Sequence, residues 1–155
     1  MRIRFVCIGK TTDQQIKSLY EGYINRLSHY GKVSIDYLEL KKKNVGSEVL
    51  KTEEGNLILS KVDSSANLIL LDELGKEFNS IGFSKFLQKG MNASSREMVF
   101  VIGGAFGFSE AVYKRANHKI ALSKMTFTHQ MVRLIFLEQL YRGFTILKGE
   151  KYHHN

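Results

Sequence analysis

Residues 98–107 read Met-Val-Phe-Val-Ile-Gly-Gly-Ala-Phe-Gly, an apolar run that ends in a group of glycines. An apolar run of this length predicts a strand buried on both faces, as in parallel sheets covered by helices. Glycines at the carboxyl end of such a strand let the backbone approach a ligand closely, and open α/β sheets bind ligands at that edge. The first two glycines are adjacent, unlike the G-x-G-x-x-G dinucleotide motif, so the stretch alone is equally compatible with a tight structural turn.

Apolar runs alternate with helical patterns on both sides of this strand. Further strands are predicted at residues 3–8, 33–40, 68–71 and 120–122, and helices at 16–27, 47–61, 84–91, 109–116 and 130–141. In the second helix, the residues predicted to face inward are Val49, Leu50, Leu57 and Ile58. The alternation predicts an α/β fold with a mostly parallel sheet and helices on both faces. No shift in composition marks a boundary, so we expect one domain over residues 1–155.

The chain is basic. Its net charge is +8, from 23 Lys and Arg against 15 Asp and Glu. Such a charge suits a polyanionic partner, because each neutralised phosphate releases counterions, although a merely basic surface would give the same number. The lysines of the predicted loop, Lys41, Lys42 and Lys43, are candidate phosphate contacts or simply solvated side chains.

The sequence favours a reducing, cytoplasmic setting without a membrane. Its longest apolar runs are far too short to cross a bilayer. The amino terminus is typical of a strand rather than a signal peptide. The single cysteine, Cys7, lies in that apolar run and cannot form an internal disulfide.

A phosphate-binding P-loop is one possible interpretation of Gly9-Lys10-Thr11, which follows a strand and precedes a helix. That motif needs a glycine five residues before Gly9, where this chain has Arg4 inside the strand. A strand-to-helix turn with a Thr or Asp cap explains the stretch as well.

Two polar segments follow other predicted strands and could share the edge marked by the glycines. Residues 71–76 include two carboxylates, Asp72 and Glu73. These side chains could take part in acid–base catalysis, or they could simply belong to an exposed turn. Residues 123–129 could supply backbone groups to the same crevice.

The last helix and the tail are the remaining candidates. Glu138 and Arg142 are i, i+4 neighbours and can form a simple helix salt bridge. The helix is apolar around most of its circumference, which indicates burial on two sides and favours a second subunit. His153 and His154 invite a metal interpretation, but adjacent histidines rarely chelate one ion and no upstream Cys or His spacing supports it, so no metal is expected. A frayed chain end is the simpler alternative.

Taken together, these sequence motifs resemble one protein family far more specifically than any of them does alone. In chain order they are Leu-Asp-x-x-Gly-Lys, Ile-Gly-Gly-x-x-Gly, Leu-Ser-x-Met-Thr-Phe-x-His-x-x-x-Arg, Glu-Gln-Leu-Tyr-Arg and a terminal Tyr-His-His. This order resembles the RlmH-type ribosomal RNA large-subunit methyltransferases of the SPOUT superfamily, over essentially the whole chain.

The resemblance implies an α/β fold with a deep C-terminal trefoil knot, S-adenosyl-L-methionine bound in the knot, and a homodimer. It implies methylation of the N3 nitrogen of a pseudouridine in large-subunit (23S) ribosomal RNA, with the assembled ribosome as substrate. Two alternatives stay open: a SPOUT methyltransferase acting on another RNA base or ribose, and a non-catalytic ribosome-binding protein.

The resemblance also assigns residues by matching motif. The implied cofactor contacts are Leu71, Gly103, Leu122, Ser123, Lys124, Met125, Thr126 and Phe127. The implied substrate contacts are Arg133, Arg142, Tyr152 and His153, and the last three are also the catalytic candidates. Arg142 would stabilise negative charge on the target base and His153 would accept its proton. Thr128 replaces the family's usual proline, which we expect to loosen the loop before the last helix.

Overall fold

The computed structural model describes residues 2–41, 44–93 and 97–154. The predicted phosphate contacts Lys42 and Lys43 lie outside these residues, whereas Lys41 is exposed. Within the described ranges the elements follow in the order β1 (Arg2–Ile8), α1 (Gln14–Leu27), β2 (Lys32–Leu38), α2 (Ser47–Lys61), β3 (Asn67–Glu77), α3 (Ser80–Asn92), β4 (Glu97–Ile102), α4 (Glu110–Arg115), β5 (His118–Ala121) and α5 (His129–Leu147).

The strands form a parallel sheet in the order β2-β1-β4-β3-β5. Strand β4, the apolar run quoted first, is central, and residues 98–101 are fully buried. Because β4 lies between β1 and β3, the chain crosses over the sheet in both directions. The carboxyl end of β4 lies beside the middle of β3, since Ile102 pairs with Leu71. The prediction of a parallel α/β sheet is confirmed.

Helices cover both faces, as the sequence predicted. On one face α1, α3 and α5 pack over a core in which the Phe136 ring lies 4.6 Å from the Phe5 ring and 4.9 Å from the Phe100 ring. On the other face α2 and α4 cover a core that includes Ile58 and Val112. The long contact of α5 with α1 and α3 explains why this helix is apolar around most of its circumference.

Three sequence predictions needed correction. Strand β3 continues to Glu77 through residues predicted as a turn, because after an irregularity between Leu71 and Lys76 it resumes pairing with β5. Helix α5 runs six residues beyond the predicted end, to Leu147. Val49, predicted to face inward, is 50% exposed, because only the second half of α2 packs on the sheet.

Thr128, which stands where the family usually has proline, has a defined structural role. It is the N-cap of α5, and its hydroxyl accepts a hydrogen bond from the backbone N–H of Met131 at 3.3 Å. The cap satisfies one of the free amides at the start of the helix, so the substitution brings a compensating contact to a loop that we expected to be looser.

We expect Thr128→Ala to lower the free energy of unfolding by about 1 kcal/mol, since the cap is lost. Thermal melting should show a midpoint lower by about 2–4 °C. Thr128→Ser keeps the capping oxygen and is the matched control, which should melt within about 1 °C of the parent. Equal loss in both variants would show that the methyl group, not the cap, matters here.

Candidate active site

A cavity of about 570 Å³ opens at the carboxyl ends of β4 and β5, beside the middle of β3. Residues of β3, the loops after β4 and β5, and the start of α5 enclose it. Its lining comprises Leu71–Leu74, Ile102–Phe108, Tyr113, Leu122, Ser123, Met125–Phe127, His129 and Val132. This is the edge at which the glycine motif and the two polar segments were predicted to meet, and the volume is that of a small-molecule site.

Seven of the eight predicted cofactor residues line this cavity: Leu71, Gly103, Leu122, Ser123, Met125, Thr126 and Phe127. The eighth, Lys124, does not, and its ammonium group lies 3.8 Å from the Glu77 carboxylate. Residues separated by up to 56 positions along the chain therefore meet in one place. Their role in cofactor binding stays a prediction.

The cavity combines apolar walls with a few polar groups. Met125 is 76% exposed and Phe106 is 53% exposed, so large apolar side chains are available to a ligand at its mouth. The Tyr113 hydroxyl donates to the Asp72 carboxylate at 2.5 Å, and burial raises the pKa of Tyr113 to about 12. The phenol therefore stays protonated near neutral pH, and the carboxylate of Asp72 is held at the cavity wall.

A buried glutamate supports the glycine loop from behind, and sequence reasoning missed it. A methyl group on Gly104 would lie 2.2 Å from Oε2 of Glu54, a residue of α2 that is 8% exposed. Burial raises the pKa of Glu54, and its Oε2 has no hydrogen-bond partner among the described residues. The Glu54 carboxyl group thus packs directly against Gly104, and a side chain at position 104 would have to displace it.

The turn after β1 is closed to a nucleotide phosphate. The N–H of Gly9 donates to the Leu38 carbonyl at 2.8 Å, so it is not free to hold an anion. The guanidinium of Arg133 donates to the Ile8 carbonyl at 2.8 Å and to the Thr11 hydroxyl at 2.9 Å. The capping interpretation is confirmed, because Asp13 caps α1 and accepts from two backbone amides.

Arg133 was predicted on the substrate side. In this chain it is 3% exposed and ties α5 to the β1–α1 turn. Its contact with substrate stays a prediction, and the contacts seen in the structure are internal.

Arg142 and the tail form a second group on the α1–α5 face. Two nitrogens of Arg142 donate to Oε1 of Glu138 at 3.0 and 2.6 Å, so the predicted helix salt bridge is present and raises the pKa of Arg142. The guanidinium also lies 4.7 Å from the Tyr152 ring centroid. The Tyr152 hydroxyl donates to the same Glu138 oxygen at 3.2 Å, and burial raises the pKa of Tyr152 well above its usual range.

The tail is packed rather than frayed. Glu150 accepts a hydrogen bond from the Tyr30 hydroxyl at 2.6 Å, and its N–H donates to the Thr145 carbonyl at 2.9 Å. Nδ1 of His153 is buried and has no hydrogen-bond partner among the described residues. Over the same part of the chain, no group of three or more His, Cys, Asp or Glu side chains is placed to hold a metal ion.

The structure does not bring the two predicted groups together within one chain. None of the four predicted substrate or catalytic residues lines the cavity: Arg133, Arg142, Tyr152 and His153. The cavity borders the first turns of α5, whereas Arg142 and Tyr152 lie at its second half. A reaction that uses both the cavity residues and the predicted catalytic residues therefore requires a second chain or movement of the tail.

The chain that forms this parallel sheet and cavity belongs to a known class of methyltransferases. The chain belongs to the SPOUT methyltransferases, because the family described as "Predicted SPOUT methyltransferase" matches residues 1–153. In fold it is similar to the tRNA (m1G37) methyltransferase from Aquifex aeolicus, with a TM-score of 0.52 and 15% identity over 92% of this chain and 70% of that one.

Comparison with curated relatives identifies the type of methyltransferase more narrowly than the family does. The chain is 55% identical to the ribosomal RNA large subunit methyltransferase H of Christiangramia forsetii and 53% identical to that of Flavobacterium johnsoniae, in each case over 99% of both chains. The resemblance to RlmH-type enzymes is thereby confirmed, as is the assignment of the chain as a methyltransferase. Within the described residues, no helix has the length and apolar character needed to cross a membrane.

Proposed function

We propose that this enzyme transfers a methyl group from S-adenosyl-L-methionine to the N3 nitrogen of a pseudouridine in 23S ribosomal RNA, acting on the assembled ribosome in the cytoplasm. The observation that carries the proposal is the cavity, in which seven of eight residues implied by the family motif meet at the ligand-binding edge of the sheet. The relatives named as large-subunit ribosomal RNA methyltransferases and the net charge of +8 support an RNA substrate.

The cavity suits this cofactor chemically. Leu71, Leu122 and Met125 offer apolar walls for an adenine, and Gly103 lets a ligand approach the backbone at the end of β4. Asp72 and Glu73 at the wall can accept hydrogen bonds from an amino group or a ribose. When bound, the cofactor supplies an electrophilic methyl group on a sulfonium.

We expect Gly103→Val to weaken S-adenosyl-L-methionine binding by at least about tenfold, a loss of about 1.4 kcal/mol. A methyl group at this position already comes within 3.1 Å of the Phe108 ring, so a larger side chain must displace that ring or enter the cavity. Isothermal titration calorimetry measures the affinity. Gly31→Val, where nothing lies within 4 Å, is the control and should bind normally. Unchanged affinity in Gly103→Val would remove this loop from the cofactor site.

The chain's own residues would prepare the RNA for transfer. The N3 of pseudouridine is an imide nitrogen flanked by two carbonyls, and it becomes nucleophilic when it loses its proton. Arg142 can stabilise the resulting charge, and the imidazole of His153 can accept the proton. Tyr152 packs against Arg142 and orients it.

A homodimer would bring the tail to the cavity. The face formed by α1 and α5 leaves Leu19 57% exposed and Met131 39% exposed, and it carries the tail. Two copies joined through this face would cover apolar surface and place one chain's tail near the other chain's cavity. This arrangement explains why the two groups of predicted residues are separate in a single chain.

Nucleoside mass spectrometry of ribosomal RNA tests the proposal. Ribosomes from a deletion strain should gain N3-methylpseudouridine on incubation with the purified protein and labelled cofactor. A different methylated nucleoside would favour the alternative target, another base or a ribose. Ribosomes that gain no methyl group at all would count against the proposed function.

A further inference from the structure

A second cavity, of about 510 Å³, lies between α3 and the edge strand β5. We call it the α3–β5 groove and define it by Lys76, Phe78, Lys85, Phe86, Lys89 and His118. Among the described residues it shares no lining residue with the cofactor cavity. A further depression continues from it along α3 past Gln88 and Asn92.

The groove carries positive charge that the described part of the chain does not neutralise. Lys76, Lys85 and Lys89 are exposed, and none of them lies within 4.0 Å of a described carboxylate. Glu77, next to Lys76, is paired with Lys124. Lys85 and Lys89 are i, i+4 neighbours of like charge, an arrangement that costs helix stability and therefore favours an anionic partner.

Aromatic rings line the same groove. The Phe78 and Phe86 rings lie 5.5 Å apart, and the exposed His118 ring contacts the Phe86 ring edge-on at 5.1 Å. Partial desolvation of the ring and the nearby Lys89 lower the pKa of His118, which favours the neutral imidazole. A basic groove lined with aromatic rings is typical of sites that bind single-stranded nucleic acid, where phosphates meet cations and unpaired bases stack.

We propose that the α3–β5 groove binds a single-stranded segment of the RNA substrate that flanks the nucleotide being methylated. Lys76, Lys85 and Lys89 contact its phosphates, and an unpaired base packs on the aromatic wall. This inference rests on the proposed RNA substrate.

The two cavities adjoin along the sheet. Leu74 lines the first and Lys76 the second, two residues apart on β3, and Ile120 and Leu122 show the same spacing at the end of β5. Two residues of extended chain span about 7 Å. A strand of RNA can therefore reach both cavities within a few nucleotides.

The test is a triple variant, Lys76→Ala, Lys85→Ala and Lys89→Ala, assayed on ribosomes from a deletion strain. We expect KM for ribosomes to rise at least about tenfold while kcat stays within about twofold, because phosphate contacts position RNA without joining the chemistry. The salt dependence of binding to a single-stranded oligouridylate should weaken by about two in the slope of log K against log salt, for three lost contacts. Calorimetric affinity for S-adenosyl-L-methionine should not change.

The matched control removes two exposed lysines elsewhere, Lys32→Ala and Lys61→Ala, and should leave KM within about twofold. Unchanged KM and salt slope in the triple variant would overturn the proposal. A 4-thiouridine-substituted RNA should crosslink to peptides of α3 or β5 in the parent protein, and crosslinks from this groove to a ribosomal protein instead would also overturn it. Failure of the parent protein to methylate ribosomes would count against the proposed function, whereas the oligouridylate and crosslinking measurements still decide the groove.

Discussion

A chain ending at Gly149 should lose at least about a thousandfold in turnover on ribosomes while it retains S-adenosyl-L-methionine binding. The truncation removes Tyr152 and His153, and loss of a general base alone typically costs between about a hundred and ten thousandfold. No described residue after Val132 lines the cavity of the same chain, so the cofactor should still bind. Single-turnover kinetics and calorimetry measure the two effects separately.

Two histidines at the end of the chain provide a matched pair for this prediction. His153 is half-buried, and its Nδ1 has no hydrogen-bond partner in the described part of the chain, whereas the adjacent His154 is exposed. His153→Ala should reproduce most of the loss of turnover, and His154→Ala should lie within about threefold of the parent, because a solvated side chain costs little to remove. Full activity of the truncated chain would remove the tail from the mechanism.

The truncation also bears on stability, which has to be separated from catalysis. It breaks the hydrogen bond from Tyr30 to Glu150 and uncovers the Tyr141 ring, which packs on Tyr152 with centroids 4.9 Å apart. These contacts are at the surface, so we expect a loss of about 1–2 kcal/mol. Circular dichroism at the assay temperature should therefore show a folded protein.

The parallel α/β architecture could be predicted because its signal is local. Apolar runs such as residues 98–102 are short, unbroken and bounded by glycine, which identifies buried strands without tertiary information. The second half of β3 could not be predicted in this way. Residues 72–76 have the composition of a turn, and they are extended only because β5, more than 40 residues later, pairs with Lys76 and Glu77.

The candidate site likewise has a part that could be predicted from the sequence and a part that could not. The predicted cofactor residues were assigned by resemblance to a family, and the structure brings seven of them together in one cavity. Glu54 gave no signal, since a glutamate beside Glu53 in a helix normally faces solvent. The α3–β5 groove could not be predicted either. Its lysines and aromatic rings come from β3, α3 and β5, and no one of these segments has a recognisable motif.

Gly75→Ala should lower the free energy of unfolding by about 3 kcal/mol, which corresponds to a thermal midpoint lower by about 6–12 °C. A methyl group at Gly75 would lie 2.5 Å from the backbone nitrogen of Ile120 and 2.7 Å from the carbonyl carbon of Lys119. Backbone atoms cannot rotate away as a side-chain tip can, so β3 and β5 must separate. Gly22→Ala is the control, because nothing lies within 4 Å of that position inside α1, and it should raise stability by about 0.5–1 kcal/mol.

The same substitution should also disturb the proposed cofactor cavity, although Gly75 does not line it. The pairing of Lys76 with Ile120 and of Glu77 with Ala121 fixes the end of β5, and the cavity residues Leu122 and Ser123 follow directly. Moving β5 therefore displaces one cavity wall, and we expect S-adenosyl-L-methionine affinity to fall at least about tenfold at a temperature where the variant is folded. Faster amide hydrogen exchange at Ile120 and Ala121 would locate the change at this pairing. Normal exchange and normal affinity would show that the strands adapt to the methyl group and that glycine is not required where they meet.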